Sequence, residues 1–262
     1  MSTIKAPALP EDLERLLVRM RLPYLRKAAP EVVATARAQR WDPAEVLRVL
    51  LEEEATGRSA ATRRMRRSKA NLPKGKTLSS WRPEISSISD STQNALITLE
   101  WVGRRENLVF SGPSGTGKSH FAEALANVAI ERDMRVAWHT LETLAATIMK
   151  SKVDGSVAKT VSRLCGNDLI VVDDIGLLPV PNDAAEALYR VCDAAYERRS
   201  ILVTSNIHPA GFDTIMPKTT ATATVDRLLH HAHLVATKGE SHRLAEALAG
   251  NGVIALTSDT TE

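Results

Sequence analysis

The chain has 262 residues, of which 44% are apolar and 25% are charged, and its formal net charge is +3. This ordinary globular usage allows a packed core, in one large domain or in a domain with a smaller module attached. No apolar stretch is long enough for a membrane-spanning helix. We expect no secretory signal, since Met1–Glu11 lacks an apolar region and a small-residue cleavage site. Two cysteines, Cys165 and Cys192, exclude a disulfide framework, so we expect a cytoplasmic protein.

The first elements along the chain are predicted to be helices. Glu11–Arg21 carries leucines at helical spacing, and Pro23 interrupts the pattern before a short second helix over Glu31–Gln39. A third helix begins at Asp42-Pro43, where Asp42 can cap the first turn and Pro43 suits the first helical position. We expect this helix to bury four apolar residues: Val46, Leu47, Leu50 and Leu51.

Basic residues are concentrated in the N-terminal part of the chain. Residues 1–100 contain 18 Lys/Arg and 12 Asp/Glu, whereas residues 101–262 contain 16 and 19. The densest stretch contains no acidic residue, and its basic members are Arg58, Arg63, Arg64, Arg66, Arg67, Lys69, Lys74 and Lys76. A solvated charged face is one interpretation of this stretch. The second interpretation is contact with the phosphates of a polyanionic partner, and the clustering of the basic residues favours it.

After a Ser-rich segment over residues 81–91, apolar strands alternate with helices. The predicted strands are Asn107–Ser111, Val136–Thr140, Leu169–Asp173, Ile201–Ser205 and Leu234–Thr237. The predicted helices are Thr92–Val102, Lys118–Arg132, Thr143–Lys150 and Asp183–Arg198. Repeated strand–helix units of this length predict an α/β fold, with a parallel sheet flanked by helices.

The segment between the first strand and the next helix matches G-x-x-x-x-G-K-[ST] at every fixed position. Its residues are Gly112, Pro113, Ser114, Gly115, Thr116, Gly117, Lys118 and Ser119. The glycines allow successive backbone N–H groups to face phosphates, and the helix N-terminus adds partial positive charge. Lys118 would reach the β- and γ-phosphates, and Ser119 would ligate Mg²⁺. The sequence therefore predicts a site for ATP with Mg²⁺.

Polar residues follow two predicted strands, at the edge where ligands bind open α/β sheets. Asp173 and Asp174 end one strand, where Asp173 suits the Mg²⁺ ion and Asp174 suits activation of the attacking water. A turn or a helix cap before Gly176 is the structural alternative for this acidic pair. Asn206 follows the next strand and could hold the water or contact the γ-phosphate, although Ser-Asn is also a common turn.

Arg227 lies just before the last predicted strand, where an arginine can stabilise transition-state charge on a neighbouring subunit's nucleotide. An ion pair with Asp226 is the competing interpretation, and spacing alone does not choose between them. His230, His231 and His233 follow. No acid or thiol completes a metal site with them, and histidines are common at helix ends, so no metal is predicted there.

These motifs, in this order, resemble the IstB-like ATP-binding proteins, which are helper ATPases of insertion-sequence transposition related to the helicase loader DnaC and the initiator DnaA. The resemblance covers about residues 10 to 243. The motifs are Gly-Pro-Ser-Gly-Thr-Gly-Lys-Ser-His at 112–120, Asp-Leu-Ile-Val-Val-Asp-Asp-Ile-Gly at 168–176, Thr-Ser-Asn at 204–206, Asp-Arg-Leu-Leu-His-His-Ala-His at 226–233 and Gly-Glu-Ser-His-Arg at 239–243.

The resemblance implies an AAA+ P-loop fold with three parts: a small N-terminal all-α domain over residues 1–80, an ATPase domain over 81–245 and a variable tail over 246–262. It implies slow ATP hydrolysis, assembly into a ring or spiral homo-oligomer on double-stranded DNA, and recruitment of a DDE-type transposase. By the same resemblance, Asp173 is the second Mg²⁺ anchor and Asn206 is the sensor. Arg227 is a trans-acting finger and Arg243 is a second sensor.

One position departs from the family pattern, because Asp174 stands where many relatives have Glu. The shorter side chain withdraws the carboxylate by about one C–C bond, and catalytic geometry is sensitive at that scale. Three functions are therefore compatible with the sequence: a transposition ATPase on duplex DNA, a helicase loader, and an ATP-binding switch with little turnover. The stretch from Arg58 to Lys76 contains no aromatic residue, which favours contacts to a duplex backbone over stacking on single strands.

Overall fold

A computed structural model describes residues 7–73, 75–176 and 180–248 of the chain. The chain divides into two compact units, Met1–Met65 and Arg66–Glu262. The division falls within one long helix, Pro43–Lys69. Among the described residues, none of the helices combines the length and the apolar character needed to cross a membrane.

The first unit is helical, as predicted. It contains α1 (Glu11–Arg19), α2 (Pro23–Gln39) and most of α3 (Pro43–Lys69). Asp42 caps α3 as expected, since its Oδ1 accepts a hydrogen bond from the Ala44 N–H at 2.8 Å. The core of this unit is small and consists of Leu17, Leu25, Ala29 and Leu50, with partly buried apolar residues around them.

Two expectations for these helices are wrong. Helix α2 begins at Pro23 and not at Glu31, because proline at the first helical position loses no hydrogen bond and has a suitable φ. Leu47 and Leu51 are 62% and 57% exposed, so α3 does not bury them. Only Leu50 of the predicted stripe is fully buried, since the core that α3 contacts is too small to cover a wide apolar face.

A buried carboxylate of α3 holds the N-terminus of α2. Glu54 Oε2 accepts hydrogen bonds from the N–H groups of Tyr24 and Leu25, both at 2.9 Å, and Arg58 Nε donates to Glu54 Oε1 at 2.7 Å. Burial alone would raise the pKa of Glu54, but the hydrogen bonds from Leu25, Arg58 and Tyr24 outweigh it and lower this pKa. The carboxylate therefore satisfies N–H groups that no residue within α2 can reach.

We expect Glu54→Gln to lower the free energy of unfolding of the N-terminal helices by about 1–3 kcal/mol, because a neutral amide accepts these bonds less strongly. The folded-state pKa of Glu54 is lowered, so the wild-type stabilisation is present above the ordinary carboxylate range and is lost as the pH falls through that lowered value. Urea unfolding followed by circular dichroism at several pH values measures both effects. The control is Glu53→Gln, an exposed neighbour on the same helix. Equal stability of the two variants would contradict the assignment.

The second unit contains a five-stranded parallel sheet with the strand order β2-β3-β4-β1-β5. The strands are β1 (Asn107–Ser111), β2 (Val136–Thr140), β3 (Leu169–Ile175), β4 (Ser200–Ser205) and β5 (Ala232–Ala236). The helices are α4 (Asp90–Ile97), α5 (Glu100–Gly103), α6 (Lys118–Glu131), α7 (Leu141–Val153), α8 (Val157–Leu164), α9 (Asn182–Ala195), α10 (Lys218–Leu229) and α11 (His242–Leu248). The predicted parallel sheet is confirmed. Helices α8, α10 and α11 are additional to the predicted helices, and the predicted helix Thr92–Val102 is divided into α4 and α5.

Alternate residues of the strands enter two separate cores, one on each face of the sheet. Val109 and Val172 belong to a core that includes residues of α7, α8, α9 and α10. Leu108, Phe110 and Val171 belong to the other core, which includes residues of α6. Both faces of β1, β3 and β4 are covered, which explains why the interiors of these strands are apolar without polar alternation. The residues of β5, at the edge of the sheet, are exposed or partly exposed.

The register of the sheet brings the carboxyl ends of β1, β3 and β4 together. Ser111 at the end of β1 is opposite Ser205 at the end of β4, and Ser205 also aligns with Ile175 of β3. The pairing of β3 with β4 shifts between Val172 and Ile175. Asp173 and Asp174 occupy this irregularity, so both predicted acids lie at the carboxyl edge of the sheet, separated from the end of β1 by β4.

Candidate nucleotide site

The predicted phosphate loop connects the end of β1 to α6. Gly117 immediately precedes α6, so the loop leads directly into a helix N-terminus. Gly115 and Gly117 have φ values of +83° and +87°, a region that favours glycine. A Cβ atom on Gly115 would lie 2.1 Å from Ser241 Oγ, and one on Gly117 would lie 3.0 Å from the Trp81 ring. Backbone conformation and close neighbours therefore both require glycine at these two positions.

The ammonium group of Lys118 is held within the loop, and the residue is buried. Its Nζ donates to the carbonyl oxygens of Gly112 at 2.8 Å and Pro113 at 2.6 Å, and to Asn206 Oδ1 at 3.0 Å. Burial lowers the pKa of Lys118 below its ordinary value, although the two nearby aspartates oppose the shift. A cation held by neutral carbonyl groups could exchange them for phosphate oxygens, which would also compensate its charge.

Asn206 offers a direct test of whether this loop fits a triphosphate. Its Oδ1 accepts from Lys118, whereas its Nδ2 is buried and has no hydrogen-bond partner among the described residues. Leaving a buried donor unsatisfied costs about 1–3 kcal/mol. A γ-phosphate oxygen beside Lys118 would accept from this amide, so the loop, the lysine and the asparagine together fit the group.

The two predicted metal ligands are in direct contact. Ser119 Oγ donates to Asp173 Oδ1 at 2.8 Å, and the Thr204 hydroxyl donates to the same carboxylate oxygen. Asp173 is buried at the end of β3. A hydroxyl and a carboxylate oxygen beside a phosphate loop are hard ligands of the type that Mg²⁺ takes. Ser119 and Asp173 would therefore hold the ion, and Thr204, which the sequence did not single out, positions Asp173.

Asp174 occupies an unusual backbone position beside Asp173. Its φ is +62°, and its N–H donates to Thr204 Oγ1 at 3.0 Å. Strand β3 continues through Asp174 to Ile175, so the prediction that the strand ends at Asp173 is wrong by two residues. Partial desolvation of its carboxylate, followed by the charge of Asp173, raises the pKa of Asp174, although the residue as a whole is exposed. A carboxylate with a raised pKa is better suited to accept a proton from water.

These groups line a pocket of about 580 Å³, within the size range of small-molecule sites. Arg243, predicted as a second sensor, also lines it. Lys76, predicted as a DNA contact, lies at the same pocket, where its charge opposes the raised pKa of Asp174. The other wall contains four residues that the sequence reasoning missed: Trp81, Arg82, Ile85 and Ser86.

Trp81 holds this wall against α6. Its ring stacks on Phe121 with centroids 4.8 Å apart, and it meets His120 edge to face at 5.2 Å. The indole Nε1 donates to Gln93 Oε1 at 2.7 Å. The Ser-rich segment over residues 81–91, which follows the predicted domain boundary, thus contributes its first part, residues 81–86, to the pocket. The tryptophan in this segment is the sequence feature from which its packing against the pocket could have been predicted.

A segment after β5 contacts the phosphate loop from the other side. The hydroxyl groups of Thr116 and Thr237 lie 2.7 Å apart, and the Thr237 N–H donates to the Ser111 carbonyl at 2.7 Å. The His242 N–H donates to the Gly115 carbonyl at 3.1 Å. These bonds bring the neighbouring Arg243 to the pocket, and the sequence reasoning missed them because they join distant parts of the chain.

Arg227 lies on α10, away from this pocket. Its Nε donates to Asp193 Oδ1 at 2.7 Å, its Nη1 lies 3.6 Å from Asp226 Oδ2, and its guanidinium carbon lies 5.3 Å from the Tyr196 ring centre. The hydrogen bond to Asp193 raises the pKa of Arg227. The ion pair with Asp226 is therefore present, together with a closer one to Asp193. Contact with another subunit's nucleotide would require Arg227 to leave both.

Several arginines of the basic stretch form ion pairs within the chain. Arg66 Nη1 lies 2.7 Å from Asp133 Oδ1, and Arg67 Nη2 lies 2.9 Å from Glu131 Oε1. Both acids are at the C-terminal end of α6 or just beyond it. Arg58 pairs with the buried carboxylate of α3 described above. These three arginines thus contribute to local structure. Substituting any of them would alter that structure as well as any contact with DNA.

The other basic residues of the stretch differ in exposure. Arg64 and Lys69 are exposed on α3, and Arg63 is partly exposed there. Lys74 lies outside the described residues. Arg64 and Lys69 are exposed on α3 and take no part in the ion pairs described above, so they are the residues at which the predicted DNA contact is tested.

Comparison with known protein families identifies the family of this chain. The family model described as "IstB-like ATP binding protein" matches residues 15–249. The chain belongs to the IstB-like ATP-binding protein family. A relative named as the ATP-binding protein of insertion sequence IS21 from Pseudomonas aeruginosa is 33% identical over 237 residues, which cover 90% of this chain and 89% of the relative. One named for insertion sequence IS5376 from Geobacillus stearothermophilus is 28% identical and covers 90% of this chain and 95% of the relative.

Solved structures confirm the fold of this IstB-like chain. The AMPPCP-bound DnaA of Aquifex aeolicus superposes with a TM-score of 0.52 at 19% identity, over 70% of this chain and 58% of that chain. Domain III of the Thermotoga maritima DnaA superposes with a TM-score of 0.52 at 17% identity, over 68% of this chain and 73% of that one. At this identity the likeness shows the fold alone, which is the predicted AAA+ P-loop fold.

Proposed function

We propose that this protein is an ATP- and Mg²⁺-dependent regulator that assembles as a homo-oligomer on double-stranded DNA and recruits a DDE-type transposase. The main observation in support of nucleotide binding is the Nδ2 of Asn206, which is buried beside the Lys118 ammonium without a hydrogen-bond partner among the described residues. The insertion sequences for which the relatives are named support the part in transposition. The proposed organisation is a DNA- and partner-binding domain over residues 1–80, an ATPase domain over 81–245, and a tail over 246–262 that lies largely outside the described residues.

In the proposed reaction, the loop amides and Lys118 bind the β- and γ-phosphates of ATP. Lys118 would release the Gly112 and Pro113 carbonyls to do so. Mg²⁺, when bound at Ser119 and Asp173, would neutralise charge that develops on the phosphate oxygens. Asp174 would accept a proton from the attacking water, and its raised pKa favours that role.

Nucleotide-dependent assembly would depend on two arginines, Arg243 at the pocket and Arg227 away from it. Arg243 is positioned there by the hydrogen bonds of Thr237 and His242 to the loop, so binding of a triphosphate would act on the segment after β5. Arg227, distant from its own pocket, would contribute to the site of a neighbouring subunit. In the chain without a neighbouring subunit, the Arg227 guanidinium would instead be paired with Asp193.

A steady-state ATPase assay with duplex DNA, single-stranded DNA or neither tests the proposed function. We expect slow hydrolysis that duplex DNA stimulates more than single-stranded DNA does. A preference for single strands, together with capture of a replicative helicase and no capture of a transposase, would instead support a helicase loader.

For the DNA contact, we expect Arg64→Ala/Lys69→Ala to weaken binding to duplex DNA of any sequence, because phosphate contacts carry no base information. The slope of log affinity against log salt should fall in magnitude by about 1 for each phosphate that the variant no longer neutralises. Fluorescence anisotropy over a salt series measures both quantities. The matched control is Lys27→Ala/Arg37→Ala, which removes the same charge from exposed positions on α2. If both double variants show the same unchanged slope, Arg64 and Lys69 do not contact DNA phosphates.

A further inference from the structure

Three histidines lie after the end of α10, and the structure separates one of them from the other two. His233 Nε2 lies 2.7 Å from Glu106 Oε2. His230 and His231 lie instead beside Glu197, just beyond α9. The expectation that no acid lies with these histidines is therefore wrong, because Glu106 and Glu197 are distant in sequence but adjacent to them in the fold.

The ligand atoms of this cluster have the spacing of a metal site. One ligand atom from each of Glu197, His230 and His231 lies within 4.8 Å of the other two. His231 Nε2 is 3.6 Å from Glu197 Oε1, which is longer than a hydrogen bond. Two ligands at about 2.1 Å from a tetrahedral ion are separated by about 3.4 Å. The observed separation thus matches one edge of such a tetrahedron, and both side chains are exposed enough to adjust without repacking.

A neighbouring hydroxyl group is placed to orient one of the histidines. Tyr196 Oη lies 2.8 Å from His230 Nδ1. Histidine ligands usually hydrogen-bond through the ring nitrogen that does not bind the metal, and this bond fixes the ring and the tautomer. With the proton on Nδ1 donated to Tyr196, His230 would present Nε2 to an ion. Tyr196 also contacts the Arg227 guanidinium, so the cluster adjoins that residue.

We propose that Glu197, His230 and His231 bind one divalent cation of the zinc class. Two imidazoles and a carboxylate form a zinc ligand set that leaves a fourth position open. Imidazole nitrogen favours Zn²⁺, Ni²⁺ and Cu²⁺ over Mg²⁺, which distinguishes this site from the oxygen ligands Ser119 and Asp173. The ion would join the turn after α9 to the turn after α10, next to Arg227.

Competition between the full chain and a chromophoric zinc chelator, in excess Mg²⁺, tests this site. We expect one Zn²⁺ per wild-type chain. Glu197→Gln and His231→Ala should each weaken binding by at least about tenfold, since each removes a ligand. His233→Ala is the matched control, because it removes a nearby histidine that lies outside the cluster, and it should bind Zn²⁺ like the wild type. Circular dichroism checks that each variant is folded.

X-ray absorption at the zinc edge identifies the ligands directly. We expect a shell of nitrogen and oxygen atoms with the scattering of two imidazoles. The proposal is overturned if wild-type protein takes up no Zn²⁺, or if Glu197→Gln and His231→Ala bind it as tightly as wild type. Sulfur in the coordination shell would also overturn it, since this would assign the ion to cysteine.

Discussion

Lys118→Ala should weaken ATP binding by about 30-fold to several thousand-fold, which corresponds to about 2–5 kcal/mol for removal of one partner of a buried charged pair. The ammonium is already positioned among the loop carbonyls and Asn206, so wild-type binding requires little rearrangement of the chain. The variant would remove the ammonium charge from the β- and γ-phosphates, while the loop N–H groups and the Mg²⁺ ligands stay in place. Isothermal titration with ATP and Mg²⁺ measures the difference in Kd.

The matched control for this experiment is Lys150→Ala, which removes an exposed lysine from α7 of the same unit. It should bind ATP like the wild type, because Lys150 is not among the residues that line the pocket. Unfolding curves of both variants show whether either loses stability. A Lys118→Ala protein that is folded and binds ATP with the wild-type Kd would contradict the proposed role of the loop.

Asp174→Asn should lower the rate constant of ATP hydrolysis by about 10²–10⁴-fold, the usual contribution of a general base. ATP binding should change little, since Lys118, Ser119 and Asp173 are unaltered. The raised pKa of Asp174 also predicts a pH dependence. The carboxylate acts as a base only when ionised, so wild-type turnover should fall as the pH drops through that raised pKa. Single-turnover kinetics across this pH range measure the effect.

Asp174→Glu is the informative comparison, because it lengthens the side chain by one methylene and keeps the charge. If the short carboxylate limits catalysis, this variant should hydrolyse ATP faster than the wild type at unchanged ATP affinity. The positive φ of Asp174 requires a check that the longer residue is tolerated, for which thermal unfolding suffices. Hydrolysis by Asp174→Asn at the wild-type rate would exclude Asp174 as the base.

Elements with strong local patterns could be predicted from the sequence almost to the residue. Strands β1 and β2 match their predicted bounds, because short apolar runs between turn residues have few alternatives. Helix α10 was not predicted, since its threonines and alanines give a weak apolar period. The exposure of Leu47 and Leu51 could not be foreseen either, because helical periodicity shows which residues share a face and not how much core that face meets.

In the candidate site too, the sequence predicts features that are local in the chain and misses those that depend on contacts between distant segments. The phosphate loop is contiguous, so its motif was visible, and Asp173 and Asn206 were found because they lie near the carboxyl ends of buried strands. Trp81, Thr237 and Glu197 were missed because each joins its site through contacts between segments that are far apart in sequence. The ion pairs of Arg66 and Arg67 were missed for the same reason. The number of charged residues in a segment does not show which of them form ion pairs within the folded chain.

Coupling of ATP binding to assembly on duplex DNA is the central claim, and electron microscopy tests it most directly. Wild-type protein would be imaged with a duplex, Mg²⁺ and a non-hydrolysable ATP analogue, beside Lys118→Ala under the same conditions. Closed or helical oligomers around the duplex are expected for the wild type with the analogue, and not for the variant. Wild-type protein that stays monomeric with both the analogue and the duplex, while titration shows the analogue bound, would contradict the claim.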